Sequence, residues 1–597
     1  MGERVTDGLQ TFLGGRTQAV DAMLLDAAQY VEGINISSRG GLVHTRPSFA
    51  IHSTVTANLP AITKFQGAAL YHLSGDTDRV VFGADGHVYS IRFDTLAVTD
   101  HGELLSATVD RFYFCQAERY MIVQDGDPLT SWANANWPVI LHEDTRIDQS
   151  DSGDATYYIA DEDKRLPKGG PMAYGHGRLF VAVNYVYFGG QWSSDLGRVG
   201  FVAGDLVLPY EIQSLLEFAD VGYSLTGGRI KLPIEIGYIH AMTIQQNQMT
   251  GIGQGPLIVM GDNGISAFQI NADATVWGDM DLGAVLFRGP GCRSPHSLVH
   301  RNADMFYRST DGIRSLQAAV REKQADALTN ESLAAEIADL LNYDTFATLP
   351  LVSAACVNNR LFMTVKPESG VFKGLAVLDL LPVNSVRGQL APVWDGVWQG
   401  LDFHQILSVE WEDAEVLCGF CKDESGTTKF FYLSETQYND NGNTSPQVCR
   451  LYTGYKTFKY VWSPKTLQYL DLWVSDLKGD VEITAYYKTD RHPLWVQMTS
   501  GTVSSGTGGL NQQRSNVRLT VDAVVADEIM DRSLRHGWAL QFCIQWTGHM
   551  KLDRAYVTAD AEKEHPSIIL SGRSETGEDL EANSDAVELD DYEYRIV

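Results

Sequence analysis

Short apolar runs broken by Asp-Gly or Asn-Gly pairs recur along this chain, and that punctuation restricts its fold more than any other feature. Val80-Val-Phe-Gly-Ala-Asp-Gly-His-Val-Tyr-Ser90 reads as strand, two-residue turn, strand. Asp85-Gly86 suits a type I′ turn, because both central residues need positive φ. The same design returns in Tyr120-Met-Ile-Val-Gln-Asp-Gly126, in Leu257-Ile-Val-Met-Gly-Asp-Asn-Gly-Ile-Ser266 and in Met305-Phe-Tyr-Arg-Ser-Thr-Asp-Gly-Ile-Arg314. A second phrase repeats beside it. Gly177-Arg-Leu-Phe-Val-Ala-Val183 and Asn359-Arg-Leu-Phe-Met-Thr-Val365 nearly coincide, and Glu118-Arg-Tyr-Met-Ile-Val123 is a looser copy. In each, the Arg is expected to make a salt bridge on its blade.

The repeats fall roughly 40–60 residues apart, which is the length of a four-stranded propeller blade with its loops. One such sheet cannot bury both of its faces, whereas neighbours around a central axis bury them for it. The expected fold is therefore mainly β: a β-propeller of about six blades over residues 61–450. Before it, residues 1–60 read as an irregular arm, with a short helix expected at Asp21–Tyr30 and breakers at Gly33, Gly40, Gly41 and Pro47. After it, alternating segments such as Leu467–Val474, Val481–Tyr487 and Trp538–Trp546 predict a β-sandwich-like domain over 451–572. Residues 573–597 form an acidic C-terminal tail. Helical spacing of Leu328, Leu333, Ile337, Leu340 and Leu341 predicts one helix within 325–343.

Function classes narrow by what is missing. The formal net charge is −29, which disfavours a protein that grips nucleic acid through clustered Lys and Arg. An acidic wall would instead let a duplex pass without sticking. No Walker loop, dinucleotide turn, Gly-x-Ser-x-Gly elbow or His-Glu-x-x-His occurs in the sequence. Gly251-Ile-Gly-Gln-Gly255 runs into Pro256 and a strand, so it is a loop and not a phosphate cradle. Ser309-Thr-Asp-Gly312 resembles the start of the Asp box of sialidase propellers, but Ile313 and Arg314 follow where Thr-Trp should. No enzyme, cofactor or metal is expected.

The seven cysteines are widely spaced, and Cys418-Gly-Phe-Cys421 lacks a second ligand pair for zinc. Asp148-Gln-Ser-Asp-Ser-Gly-Asp154 has acidic residues around a Gly, yet misses the ligand spacing of an EF-hand. With Asp161, Glu162 and Asp163 it is expected to form an acidic rim or lumen loop (Asp148, Asp151, Asp154, Asp161, Glu162 and Asp163). The N-terminus lacks the basic head and apolar run of a signal peptide. No stretch approaches the ~18 apolar residues of a membrane span, so no membrane anchor is expected.

Three stretches resemble the tail tubular protein B, or nozzle, family of short-tailed bacteriophages. They are Gln29-Tyr-Val-Glu-Gly-Ile-Asn35 with Gly41-Leu-Val-His-Thr-Arg-Pro47; Met172-Ala-Tyr-Gly-His-Gly-Arg-Leu-Phe-Val181; and Ala376-Val-Leu-Asp-Leu380 with Trp394-Asp-Gly-Val-Trp398. Trp546-Thr-Gly548 also fits. The resemblance implies a structural virion protein, made and assembled in the host cytoplasm. It implies a homo-oligomer, a hexameric ring, below a tail adaptor ring, carrying tail fibres or tip proteins. Genomic DNA would pass through its channel during ejection without being read. Asn35, Arg39, Leu42 and Arg46 would then contact the adaptor or a neighbouring subunit, with the two arginines pairing bidentately with carboxylates. The alternative is a carbohydrate-binding or glycoside-hydrolysing propeller at a virion or cell surface, with Trp132, Trp137 and Trp192 stacking on sugars.

Overall fold

The structure is a computed structural model. It describes residues 3–561 apart from short gaps and longer stretches around 127–137, 149–168, 207–228, 246–254, 271–283, 317–340, 366–373, 385–389, 436–447 and 522–533. The chain divides into two compact units: residues 1–45 with 384–389 and 448–597, and residues 46–383 with 390–447.

The second unit is a β-propeller. Its blades begin at Phe65–Tyr71, Tyr113–Ala117, Met172–Gly175, Ile239–Ile244, Val299–Arg301, Ala354–Val357 and Asp402–Trp411. Each opens an antiparallel meander, so blade one continues through Arg79–Ala84, His87–Arg92 and Val98–Glu103 in order. Seven blades are therefore present among the described residues, where the spacing of repeats had suggested about six. The shortest, blade five, has three described strands.

The blades close a ring because each strand sends alternate side chains to opposite neighbours. In Tyr120–Gln124, Tyr120 and Ile122 pack with Leu179 and Val181 of blade three, while Met121 and Val123 pack with Tyr71 and Val81 of blade one. Every residue of that strand is buried, so it reads as a continuous apolar run and not as an alternation. Phe180 meets Leu257 of blade four, Met260 meets Tyr307 of blade five, and Phe306 shares a cluster with Met363 of blade six. Phe362 shares one with Phe403 of blade seven, and Phe420 of blade seven shares the last with Phe82 of blade one. Seven clusters join seven blades, which closes the circle.

Blade seven takes its outer strand from the start of the unit. Ser48–Ile51 pairs antiparallel with Thr428–Ser434, Ala50 opposite Tyr432 and Phe49 opposite Leu433. Residues 46–51, expected to lie in an irregular arm, thus fasten the ring.

The Asp-Gly punctuation has a second role. Asp85 and Gly86 take φ of 51° and 88°, as a type I′ turn requires. The Asp85 carboxylate also accepts hydrogen bonds from the Thr63 and Lys64 amides, both at 2.8 Å, on the segment entering its blade. Asp125 does the same for the Ser106 amide at 2.9 Å, and Asp262 for the Tyr238 amide at 2.9 Å. The turn residue therefore ties down the connection between blades. Of the repeated arginines, Arg119 pairs with Glu143 at 3.0 Å on the surface, whereas Arg360 is buried 3.9 Å from Asp395.

The first unit is one sheet folded over its own core, which accounts for its sandwich-like texture. Two long strands, Lys465–Thr489 and Leu540–Ala561, pair along nearly their full length. They turn where Asp476, Gly479 and Gly548 adopt positive φ. One half of Lys465–Thr489 pairs with Ser515–Thr520, the other with Val496–Ser504. Leu470, Ile483, Tyr487, Trp546 and Val557 fill the space between the layers. The N-terminal segment belongs to this sheet: Glu3–Leu9 pairs with Ala555–Ala561, and Gln29–Ile34 with Arg450–Thr453. Among the described residues of 21–30 no helix forms; turns lead into the strand at Gln29. Pairing with Val448–Thr453 outweighs the weak helical spacing of Met23, Leu24 and Ala27. Most of the helix expected at 325–343 lies outside the described residues, although Ile337 and Leu341 are buried between blades five and six.

Candidate functional site at the propeller axis

In a closed ring, segments of non-adjacent blades can meet only at the axis. Gln405, on the first strand of blade seven, lies at such a meeting. Its Oε1 accepts from the Ala68 amide of blade one at 3.0 Å and from Arg111 Nη1, beside blade two, at 3.1 Å. Its Nε2 donates to the Ala68 carbonyl at 2.6 Å and reaches His296 Nδ1, beside blade five, at 3.1 Å. His296 Nε2 lies 3.0 Å from the Phe112 carbonyl. A carbonyl only accepts, so the imidazole proton sits on Nε2 and Nδ1 accepts from Gln405. The Arg111 guanidinium also donates to the Leu351 carbonyl, ahead of blade six.

The surroundings leave little room. Gly67 has φ of 135°, and a Cβ there would stand 3.0 Å from the Phe114 ring and 3.3 Å from His296 Nε2. Only glycine meets both demands. Gln66 bonds the Ser106 and Val109 carbonyls at 2.7 and 2.9 Å and receives the Gly86 amide at 2.8 Å. Ser294 Oγ donates to the carbonyls of Pro350 and Val352 at 3.0 and 2.5 Å. Ser353 Oγ accepts from the Ile406 amide at 3.1 Å.

Burial sets the charges here. It pushes the His296 imidazole down to about 3, helped by the nearby Arg111 cation and opposed by the bond to Phe112. His296 is therefore neutral at ordinary pH. Arg111 is pushed down by burial to about 10, so its guanidinium keeps its charge. The network as described contains no carboxylate. Its hydrogen bonds join segments of blades one, two, five, six and seven.

The residues expected to face an adaptor or neighbour have other occupations. Asn35 is buried with φ of 56°; its Nδ2 donates to the Val448 carbonyl at 3.0 Å, and its own carbonyl accepts from Cys449 Sγ at 3.2 Å. Arg46 is 1% exposed and forms a bidentate pair with Asp440 of its own chain. The expected chemistry is present, but the carboxylate is internal. Arg39 and Leu42 are half-buried, with the Arg39 amide 3.5 Å from Ser37 Oγ. Asp148 ends a strand of blade two, opposite Tyr158. Asp151, Asp154, Asp161, Glu162 and Asp163 lie outside the described residues, as do Trp132, Trp137 and the Trp192 side chain.

Cys418 and Cys421 point to opposite faces of blade seven, one toward blade one and the other toward blade six. Two thiols so divided cannot share a metal ion or a disulfide. All seven cysteines are free. The three axial residues carry no motif. Gln405 sits in an ordinary strand, and His296 reads as a loop histidine beside Pro295, so only the closed ring reveals them.

No family model matches the sequence, and no curated protein matches it. Among solved structures, the chain is similar to Trypanosoma rangeli sialidase at 9% identity, over 93% of this chain and 97% of that one, with a TM-score of 0.26. It is also similar to the β-propeller domain of Cps50 (Swd1) from Myceliophteria thermophila at 13% identity, over 62% of this chain and 99% of that one, with a TM-score of 0.31. Likeness at this level carries no activity over to the chain, which is a mainly β protein with a β-propeller at its centre.

Proposed function

We propose that this chain is a structural subunit of a short-tailed bacteriophage tail, of the nozzle kind, and not an enzyme. Copies assemble into a ring, hexameric by the resemblance in residues 29–47, 172–181 and 376–398, beneath an adaptor ring and bearing fibres or tip proteins. Genomic DNA passes along a channel enclosed by the subunits. The observation that supports this reading is the filled axis. Gln405, His296 and Arg111 turn the place where a propeller could hold a substrate into a cross-brace. A conduit must then run between subunits and not through one. The net charge of −29 suits a wall that phosphates slide past.

Purified protein imaged by electron microscopy, with its mass measured in solution, tests the proposal. A six-fold ring with a hole as wide as a DNA duplex is the expected result. A persistent monomer that binds glycans on an array would replace it with the carbohydrate-binding alternative.

A further inference from the structure

Strand register in the first unit fixes which side chains share the outward face of one half of its sheet. Leu470, Leu472, Ala555 and Val557 point into the core. The residues between them point away, because successive side chains alternate across a strand. Asp471 stands opposite Tyr556 on one side and Arg518 on the other, and Trp473 opposite Arg554 and Asn516. Gly8 faces Tyr556 from the next strand. A Cβ at Gly8 would stand 2.9 Å from two carbons of the Tyr556 ring, so that ring lies across the glycine. The Arg518 guanidinium lies 4.1 Å from the centre of the Tyr469 ring and bonds both oxygens of Asp471, at 2.7 and 2.9 Å. Trp473 is 38% exposed.

The face carries a positive balance on a chain whose net charge is −29. Arg4, Arg514 and Arg518 pair with Asp560, Asp553 and Asp471, at 3.6, 3.0 and 2.7 Å, yet their side chains stay 64%, 64% and 56% exposed. Arg554 is exposed too and has no carboxylate partner among the described residues. Trp, Tyr and Arg are the side chains enriched where proteins are contacted. A complementary occupant is therefore acidic, with some apolar side chains to cover Trp473.

The chain supplies such a segment next to the face. The strand that bears Tyr556 and Arg554 ends at Ala561. Residues 573–597 hold nine Asp or Glu against two Arg, together with Leu589, Tyr592 and Tyr594. From Ala561 back to Tyr556 is about 17 Å along the strand, and residues 562–572 can span about 36 Å. A tether of that reach holds the segment at a high effective concentration over the face. We propose that the acidic carboxy-terminal segment, residues 573–597, docks in cis on this face. Its carboxylates meet Arg554, Arg514 and Arg518, and its apolar side chains cover Trp473.

The test uses the full chain with a cysteine placed in the segment by Ser574→Cys or Ser584→Cys and labelled with bimane, a dye that tryptophan quenches on contact. Six native thiols are buried and the seventh, Cys115, is half-buried, so the added thiol reacts fastest. Several-fold quenching relative to unfolded protein is expected. Trp473→Phe should relieve it, and so should Arg514→Glu combined with Arg554→Glu. Salt at ~1 M, which screens exposed charges, should weaken it. The substituted side chains are exposed, and hydrogen exchange gives a second measure without any label: residues 573–597 should exchange several-fold more slowly in the parent than in the double arginine variant. Bright labels together with equal exchange would overturn the proposal, as would quenching that survives both sets of substitutions. Quenching that fades on dilution, or on mixing with excess unlabelled chain, would give the face to the segment of a neighbouring copy and overturn docking in cis.

Discussion

Arg46 and Asp440 meet through two parallel hydrogen bonds, Nη1 to Oδ1 at 3.0 Å and Nη2 to Oδ2 at 2.6 Å, where the strand that closes the propeller begins. Asp440 Oδ1 also accepts the Phe49 amide at 2.8 Å, and the guanidinium lies 4.2 Å above the Phe49 ring. A single carboxylate thus holds both the side chain that precedes the closing strand and the backbone inside it.

Arg46→Ala should destabilise the propeller by about 3–5 kcal/mol, because it strands a largely buried carboxylate. Arg46→Lys should recover little, since an ammonium cannot reproduce the planar fork. Denaturant unfolding followed by tryptophan fluorescence checks both, and full recovery with Lys would show that charge alone matters.

Phe49 contributes to the closure through packing. Its ring stands 5.0 Å from Phe403 and 5.8 Å from Phe431, edge-on to both, within the cluster between blades six and seven. Phe49→Ala is expected to cost about 3–5 kcal/mol. It should also raise binding of a hydrophobic dye, as the outer strand of blade seven loosens. An unchanged unfolding midpoint would mean that the ring holds without this strand.

Stability should fall on mild acidification. Burial holds His296 down to about 3 and His549 down to about 4, from the ordinary histidine value of about 6.5, and it lowers His101 as well. The unfolded chain binds protons that the folded chain refuses, so stability is full above the ordinary histidine range and is lost as pH falls. His296 alone should remove about 2 kcal/mol by about pH 5. The lowered carboxylates, Asp144 and Asp262 among them, act in the same direction but only below their usual range. His296→Gln should flatten the profile between about pH 6.5 and 5, as measured by denaturant midpoints across that window.

The thiols should be inert in the folded protein. Burial raises Cys292, Cys418, Cys421 and Cys543 above the ordinary thiol value, which suppresses the reactive thiolate. A thiol-exchange reagent should label them slowly without denaturant, while unfolded protein should release all seven. Rapid labelling of Cys418 or Cys421 in native buffer would contradict the packing of blade seven.

The hairpins were legible in the sequence because their information is local. Asp85-Gly86 specifies a turn by its own backbone preferences, and the apolar runs on either side specify strands. Repetition of that unit was enough to name a propeller, since a small sheet with two apolar faces has few other ways to bury both. Ring closure was not legible. Whether Ser48–Ile51 pairs with Thr428–Ser434 depends on how many blades complete the circle, and no neighbour in sequence reports that. Arg46 could be read as a paired arginine, but its partner lies 394 positions away. The axial network is of the same kind: Arg111, His296 and Gln405 come together only because the first strands of seven blades converge. Local backbone chemistry determined the hairpins and the class of fold. Burial and long-range pairing, which exist only once the chain has closed on itself, decided the blade count, the role of the arm and the character of the axis.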